Sequence, residues 1–336
     1  MQAQTEIRDG VHTPERDSKT VEEAAAVWYS HWEVEGLEHS TLMQYRNHLR
    51  RYIVPAIGRV KLAKLTTPLI GEFRDELLRH HSRAMTRKVL ASLKSIIGEA
   101  RRRGLVGHNA AEPIGIPLKR RDRRRILAGR DFPTKQEVNR IISSVEDRWR
   151  PIIVTAIFTG MRSSELRGLT WDAVDFDAKR IHVRQRADAW NVMGAPKSEA
   201  GDRYLPMSPL VLNTLREWRL ACPPGKPNLV FPNGSGRIEN HSNILNRGFY
   251  ALQTELGIVG ADGKHKYGLH ALRHFFASWA IEHGYTPKKL QALLGHSSIQ
   301  MTFDTYGGLF PDDEDDQAKF AAAERELLAT NVRPIG

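Results

Sequence analysis

The chain reads as a mainly α-helical protein in two parts: a small helical domain, then a larger and mostly helical one that holds a small antiparallel β-sheet. Three observations predict this. Apolar residues recur at helical spacing between capping signals through most of the 336 residues. Strand-like alternation is confined to residues 180–186, with a return segment at 203–206. A run rich in proline, glycine and arginine over 113–131 separates two sets of helical patterns.

Residues 1–17 are polar and lack apolar periodicity, which predicts a loose N-terminal arm. A helical domain is expected over 18–112. Thr20 followed by Glu23 is a capping-box pattern, in which hydroxyl and carboxylate each satisfy an amide at the helix start; the helix it opens runs through Trp28, Tyr29 and Trp32. A second helix after Ser40 carries Leu42, Tyr45 and Leu49 on one side and Arg46, Arg50 and Arg51 on the other, and Pro55 and Gly58 break its pattern. Thr67 and Pro68 start a third helix through Phe73 and Leu77. A fourth spans Ser82 to Arg103, with Val89, Leu93, Ile96 and Ile97 inward and Gly104 as its stop. Arg83, Arg87, Lys88 and Lys94 are expected either along DNA phosphates or on a solvated surface.

Residues 113–131, PIGIPLKRRDRRRILAGRD, predict an extended, charged linker suited to tracking phosphates. The second domain is expected over 132–310. Thr134 and Glu137 repeat the capping-box pattern, and the apolar run 151–158 predicts a buried helix leading to Arg162. Pro196, Ser198, Gly201 and Asp202 are turn formers, so Lys197 lies in or beside a hairpin turn between the two strand segments. Residues 209–220 and 240–256 complete the domain as amphipathic helices. In the tail, 311–336, the stretch AKFAAAERELL predicts a helix with Phe320, Leu327 and Leu328 available for packing.

Composition sets the partner class. Fifty lysines and arginines against 39 aspartates and glutamates give a net charge of +11, which favours an anionic partner, nucleic acid first. The single cysteine, Cys222, excludes a disulfide framework and a cysteine–zinc cluster, and fits a reducing compartment. The first residues hold no apolar core of a signal peptide, and no apolar run approaches the length of a bilayer span. A soluble, cytoplasmic protein with no membrane partner is expected.

Two stretches concentrate residues that carry chemistry. In the later one, His270 and Arg273 stand three apart at a helix start and leave one face. Thr286 and Pro287 open the next helix, and Gly295 ends it, leaving His296 on an exposed turn. Ser297 or Ser298 caps a last short helix that finishes at Tyr306, before the flexible pair Gly307 and Gly308, an arrangement suited to a side chain that reaches an external target. The earlier stretch is TGMRSSEL, containing Arg162 and Glu165.

With both stretches in view the chain resembles the tyrosine recombinases, the phage integrase family. In that family an arginine in a TGxRxxEL box, a hairpin lysine, an HxxR pair, an LGH histidine and a TY nucleophile form one site, and this sequence carries them in that order across 132–310. The resemblance implies a core-binding helical domain before a catalytic domain of the DNA breaking–rejoining type. It implies that Arg162 is the first arginine, supported by Glu165, and that His270 and Arg273 are the central pair. His296 and Tyr306 complete the set. Lys197, in PKSEAGDRYLPM, takes the lysine position, with Lys179 as the competing cation.

The implied chemistry suits these residue types. Attack on a phosphodiester builds negative charge on the equatorial oxygens, which two guanidiniums, Arg162 and Arg273, hold through paired hydrogen bonds. Tyr306 attacks and is esterified to the DNA 3′-phosphate; Lys197 is the candidate acid for the departing 5′-oxygen. His270 is expected to help deprotonate the tyrosine, and His296 to donate to the phosphate. No cofactor and no metal is expected: the chain lacks a Gly-rich phosphate loop and a His/Cys ligand cluster, and the consecutive acids at 312–316 do not converge readily on one ion. The resemblance implies double-stranded DNA at specific sites as partner, a homotetrameric synapse to which the tail helix contributes by docking on a neighbouring protomer, accessory DNA-bending factors, and a place on the nucleoid. An element-encoded integrase is the leading reading. A chromosome-dimer resolvase, a type IB topoisomerase and a DNA-binding regulator of the same fold are the alternatives.

Overall fold

The computed structural model describes residues 15–117, 126–310 and 316–329, and the chain forms two compact units, Met1–Asp122 and Arg123–Gly336. Among the described residues no helix is long and apolar enough to cross a membrane.

In the first unit helices enclose a core that includes Trp28, Ile53, Ile70, Leu93 and Ile96. Helix α1 (Val21–Val34) opens with the expected box: Glu23 accepts from the Thr20 amide at 2.7 Å and Thr20 Oγ1 accepts from the Glu23 amide at 3.2 Å. Helix α2 (His39–His48) departs from expectation. It continues through a π-type segment, Leu49–Ile53, into a last turn, Val54–Ile57, so Pro55 does not break it. A proline ring clashes with the carbonyl four residues back and offers it no N–H; where the Val54 amide instead reaches back five residues to the Leu49 carbonyl, the wider turn accommodates the ring. Helix α3 (Thr67–His80) is capped by Thr66, one residue before the expected start. Helix α4 (Arg83–Arg102) is capped by Ser82 and buries the four residues expected.

Three of the basic positions on α4 have a structural occupation. Arg83 donates to the Pro117 carbonyl at 2.6 Å, Arg87 to Ile116 at 3.3 Å and Lys94 to Glu112 at 3.0 Å. Ile114 and Ile116 pack on the core of the unit. The start of the expected linker is therefore bound to α4 rather than extended; its residues 118–125 lie outside the described residues, as do 1–14 of the arm.

The second unit is built around α5 (Lys135–Ser144), α6 (Trp149–Thr159) and a short α7 (Ser163–Gly168). A three-stranded antiparallel sheet follows, in the order β1 (Val174–Asp175), β2 (Arg180–Val183), β5 (Arg203–Pro206). In the register Ile181↔Leu205 and Val183↔Arg203, three buried apolar side chains share a row with a buried arginine. The predicted strand stops at Val183 because Gln185 turns inward and donates to the Gly168 carbonyl and to Thr170 Oγ1, each at 2.9 Å. Between β2 and β5 a second hairpin, β3 (Arg186–Ala187) with β4 (Met193–Gly194), was not foreseen. Buried Arg167 clamps it, donating to the Asp188 carbonyl at 2.9 Å and to the Asn191 side chain. Helices α8 (Pro209–Ala221) and α9 (Tyr250–Glu255), then α10 (His270–Glu282), α11 (Pro287–Leu294) and α12 (Ile299–Tyr306), complete the core. The tail holds α13 (Asp316–Ala329), with Phe320, Leu327 and Leu328 exposed.

Candidate active site

The site grows from two glycines that end helices in the left-handed conformation. Gly160 (φ 62°) closes α6, and a Cβ there would lie 2.5 Å from the ring of Phe276 on α10. Gly295 (φ 65°) closes α11, and a Cβ there would meet the Ala200 carbonyl and the Arg203 guanidinium at 2.8 Å. Close approach at these turns brings backbone carbonyls within reach of buried arginines.

The end of α11 holds three guanidiniums in sequence. The carbonyl of Leu293 accepts from Arg203 Nε at 2.7 Å, that of Leu294 from Arg273 at 2.6 Å, and that of Gly295 from Arg162 at 2.9 Å. A helix ends with carbonyls that lack intrahelical partners and carry partial negative charge, so consecutive cations are stabilised there. Glu165 ties two of them together. Its carboxylate accepts from Arg162 at 2.8 Å and from Arg203 at 3.2 and 2.9 Å, and also from the Arg162 amide at 2.8 Å as the third residue of α7. Burial alone would raise this carboxyl; the hydrogen bonds and charge of Arg203, with the charge of Arg162, hold it below its ordinary range. Arg273 is also bonded to the Gly160 carbonyl at 2.8 Å, and burial with the like charge of Arg162 pushes it down to about 9, still cationic at neutral pH. Three guanidiniums against one carboxylate leave an excess of two positive charges. Arg162 and Arg273 each spend two of their five N–H groups on these bonds, which leaves donors over.

The histidines and the tyrosine stand on the same elements. His270, at the start of α10, is exposed as a residue, yet desolvation, then His274, Arg273 and Arg162, holds it well below the usual imidazole range. His296 is not on an exposed turn as the sequence suggested. It is buried, hydrogen-bonded at Nδ1 to Thr302 at 2.9 Å, and burial and the three arginines push it down to about 4. Tyr306 is likewise buried, at 1 % exposure, and not a reaching side chain. Burial pushes its hydroxyl up to about 12 against the pull of Arg273 and Arg162. Its ring lies 6.3 Å from that of His296 and nearly parallel to it, and its hydroxyl is 2.9 Å from Nδ1 of His274.

The phage integrase family profile matches residues 132–310, more than half of the chain, and the profile of the family's N-terminal SAM-like domain matches 20–78. The chain belongs to the phage integrase family. Among its relatives are the prophage integrase IntR of Escherichia coli K12, 24% identical over 330 residues (89% of this chain and 78% of the relative), and the tyrosine recombinase XerC of Brucella suis, 25% identical over 292 residues (79% and 83%). The fold is that of the Tn1549 transposon integrase solved with a circular intermediate DNA, at TM-score 0.72 and 21% identity over 92% of this chain and 99% of that one. It is also that of a lambda integrase tetramer solved on a Holliday junction, at TM-score 0.61 and 18% identity over 84% and 78%.

In this member of the phage integrase family, Arg162, Arg273, His270, His296 and Tyr306 come together in one cluster: the two arginines on successive carbonyls of the LGH turn, and the three rings in contact through His274 or directly. Lys197 lies in an exposed bend after β4, three residues before Ala200, whose carbonyl abuts Gly295 at the edge of the cluster. Lys179 precedes β2, in the left-handed conformation (φ 52°). Two residues of the cluster were not among the candidate site residues. Arg203 had a signal, a charged residue at an inward position of an alternating strand. His274 had one too: it follows Arg273 and lies one helical turn from His270, on the same face.

Proposed function

We propose that this tyrosine recombinase is a site-specific DNA recombinase, the integrase of a phage or other mobile element, that cuts and rejoins strands through a 3′-phosphotyrosine on Tyr306. The observation that carries the reading is the cluster's excess of two positive charges beside a buried tyrosine: it is built for an anion with a nucleophile next to it. A phosphodiester takes the donors that Arg162 and Arg273 have left over, and its equatorial oxygens gain charge in the transition state where fixed donors stabilise it most. His296 and His270, kept neutral by their surroundings, act as hydrogen-bonding groups and not as further cations. Lys197, on the exposed bend, is the candidate acid for the 5′-oxygen. The chemistry proceeds without cofactor or metal, since the phosphotyrosine bond stores the energy of the cut strand.

The partner in this reading is double-stranded DNA at paired sites, held by a tetramer in which the exposed apolar residues of α13 dock on a neighbouring protomer, with accessory DNA-bending factors as further partners. Identity alone does not choose between the integrase and resolvase roles; the wider match to the prophage integrase, 89% of the chain against 79% for XerC, favours the integrase. The test is a nicked suicide duplex carrying the site that the chain selects from a random-sequence pool. The wild-type chain forms a covalent adduct without divalent metal, and Tyr306→Phe binds the duplex equally but forms none. An adduct with the Phe variant would place the nucleophile elsewhere, and the absence of any wild-type adduct would remove the reading.

A further inference from the structure

The hydroxyl of Tyr306 lies 2.9 Å from Nδ1 of His274, and among the described residues this is its one hydrogen bond. His274 was not among the candidate residues, and the expected partner, His270, instead packs edge-on against the His274 ring at 4.8 Å between centroids. We infer that His274, and not His270, is the general base that takes the proton of Tyr306 during strand cleavage and returns it during resealing; the inference rests on the tyrosine-recombinase reading above.

The geometry supports this on three counts. First, the distance and the direct contact with the reacting oxygen meet the reach required of a general base, while among the described residues His270 makes no hydrogen bond to that oxygen and packs on the His274 ring instead. Second, the buried tyrosine ring neighbours two imidazoles, His274 edge-on at 5.6 Å and His296 nearly parallel at 6.3 Å between centroids, and of the two it is His274 that its hydroxyl meets. Nδ1 of His296 is already engaged by Thr302 and is not available to it. Third, the groups around His274 keep it unprotonated and ready to accept. Burial and Arg273, its neighbour on α10, lower its pKa, while Asp131, before α5, pulls the other way; the remaining titratable groups against it are His270 and Tyr306. A neutral ring with its proton on Nε2 presents a lone pair at Nδ1.

The step balances within the site. The tyrosine O–H bond breaks as its oxygen bonds to phosphorus, and the proton passes to Nδ1 of His274, giving an imidazolium. The bond from phosphorus to the 5′-oxygen breaks, and that oxygen leaves with a proton from a separate acid. In the resting chain the phenol is too weakly acidic to ionise, so transfer to Nδ1 occurs in concert with attack. Resealing runs these movements in reverse.

The test uses the full chain on the nicked suicide duplex, read as the single-turnover rate of adduct formation from pH 6 to 10. In His274→Asn the amide oxygen stands near the place of Nδ1 and still accepts a hydrogen bond, but takes no proton. We expect this variant to lose about 10²–10⁴-fold at pH 7 and its rate to climb about tenfold per pH unit, because the phenol then ionises by itself. His274→Gly should be rescued by added imidazole, which guards against a loss due only to misfolding. His270→Ala should keep the wild-type shape of the pH profile. A His274→Asn enzyme with the wild-type rate and profile, while Tyr306→Phe is dead, would overturn the assignment and leave the recombinase reading intact. A faster His274→Asn enzyme would also overturn it, showing the contact to be a restraint that holds Tyr306 back. No Tyr306-dependent adduct from the wild-type chain would remove both.

Discussion

Replacing Glu165 by Gln tests the electrostatic design of the site. The amide has the shape of the carboxylate but no charge, and one of its two terminal atoms becomes a donor. That atom would face N–H groups of Arg162 or Arg203, where the carboxylate now accepts four bonds between 2.8 and 3.2 Å. Both oxygens lie in a side chain only 3 % exposed, and Arg203 is 6 % exposed, so water replaces little of what is lost. Removing one partner of a buried ion pair costs about 3–5 kcal/mol, most of it the penalty of a cation left without compensation. For a domain of this size that corresponds to a fall in Tm of roughly 6–20 °C, at about 2–4 °C per kcal/mol. Calorimetry should show the loss in the transition of the second unit, with that of the first unit unmoved. Arg203→Met should cost a similar amount alone, and the double variant should cost less than the two together, by about 0.5–3 kcal/mol of coupling. A Glu165→Gln chain melting within a degree or two of the wild type would refute the argument, because the arginines would then be balanced by the α11 carbonyls alone.

The remaining predictions concern catalysis and pH. Lys197→Ala should slow cleavage by about 10²–10⁴-fold and recover most of that on a duplex whose bridging 5′-oxygen is sulfur, a leaving group that needs no proton; Arg162→Ala and Arg273→Ala should stay slow on both. A lysine variant equally slow on the sulfur duplex would assign the acid elsewhere, with Lys179 next to be tested. Acid should destabilise the second unit in a defined window: His296 titrates at about 4 when folded against 6.5 ordinarily, so between those values the unfolded chain binds the extra proton and stability falls as pH drops. The loss should reach at most about 3 kcal/mol from this group, and Glu165, held below its ordinary range, extends it to lower pH. Urea midpoints that stay level from pH 7 to 4 would contradict this.

Much of the fold was legible because its signals are local. The capping boxes at Thr20 and Thr134 and the glycine stops at Gly104 and Gly295 act through neighbours three or four residues away, and these elements formed as expected. Pro55 misled because its usual effect presumes regular α-helical bonding, and a π-type turn upstream removes that premise. The basic residues of α4 had a third use that neither a phosphate contact nor a solvated surface covers. The chain downstream folds back and offers them carbonyls, as residues 112–117 do for Arg83, Arg87 and Lys94.

The site divides along the same line. Side-chain identity marks which residues take part, but the three arginines are placed by backbone carbonyls, and a carbonyl has no letter in the sequence. Arg162 finds its acceptor 133 positions away and Arg273 finds one 113 away. The short Leu–Gly–His triplet therefore does more than supply a histidine: its carbonyls, with that of Leu293, form the row on which the guanidiniums are set. This also explains why the tyrosine and His296 are buried where their flanking glycines and turn suggested exposure. On the proposed reading, a nucleophile whose attack depends on fixed cations has to share their desolvated surroundings, since the same donors in water would be worth far less. The rest of the unit holds this excess of positive charge in place through its folding energy. In the proposed reaction the phosphodiester that completes the cluster finds donors already oriented, and the reorganisation that water would otherwise undergo during attack has been met during folding.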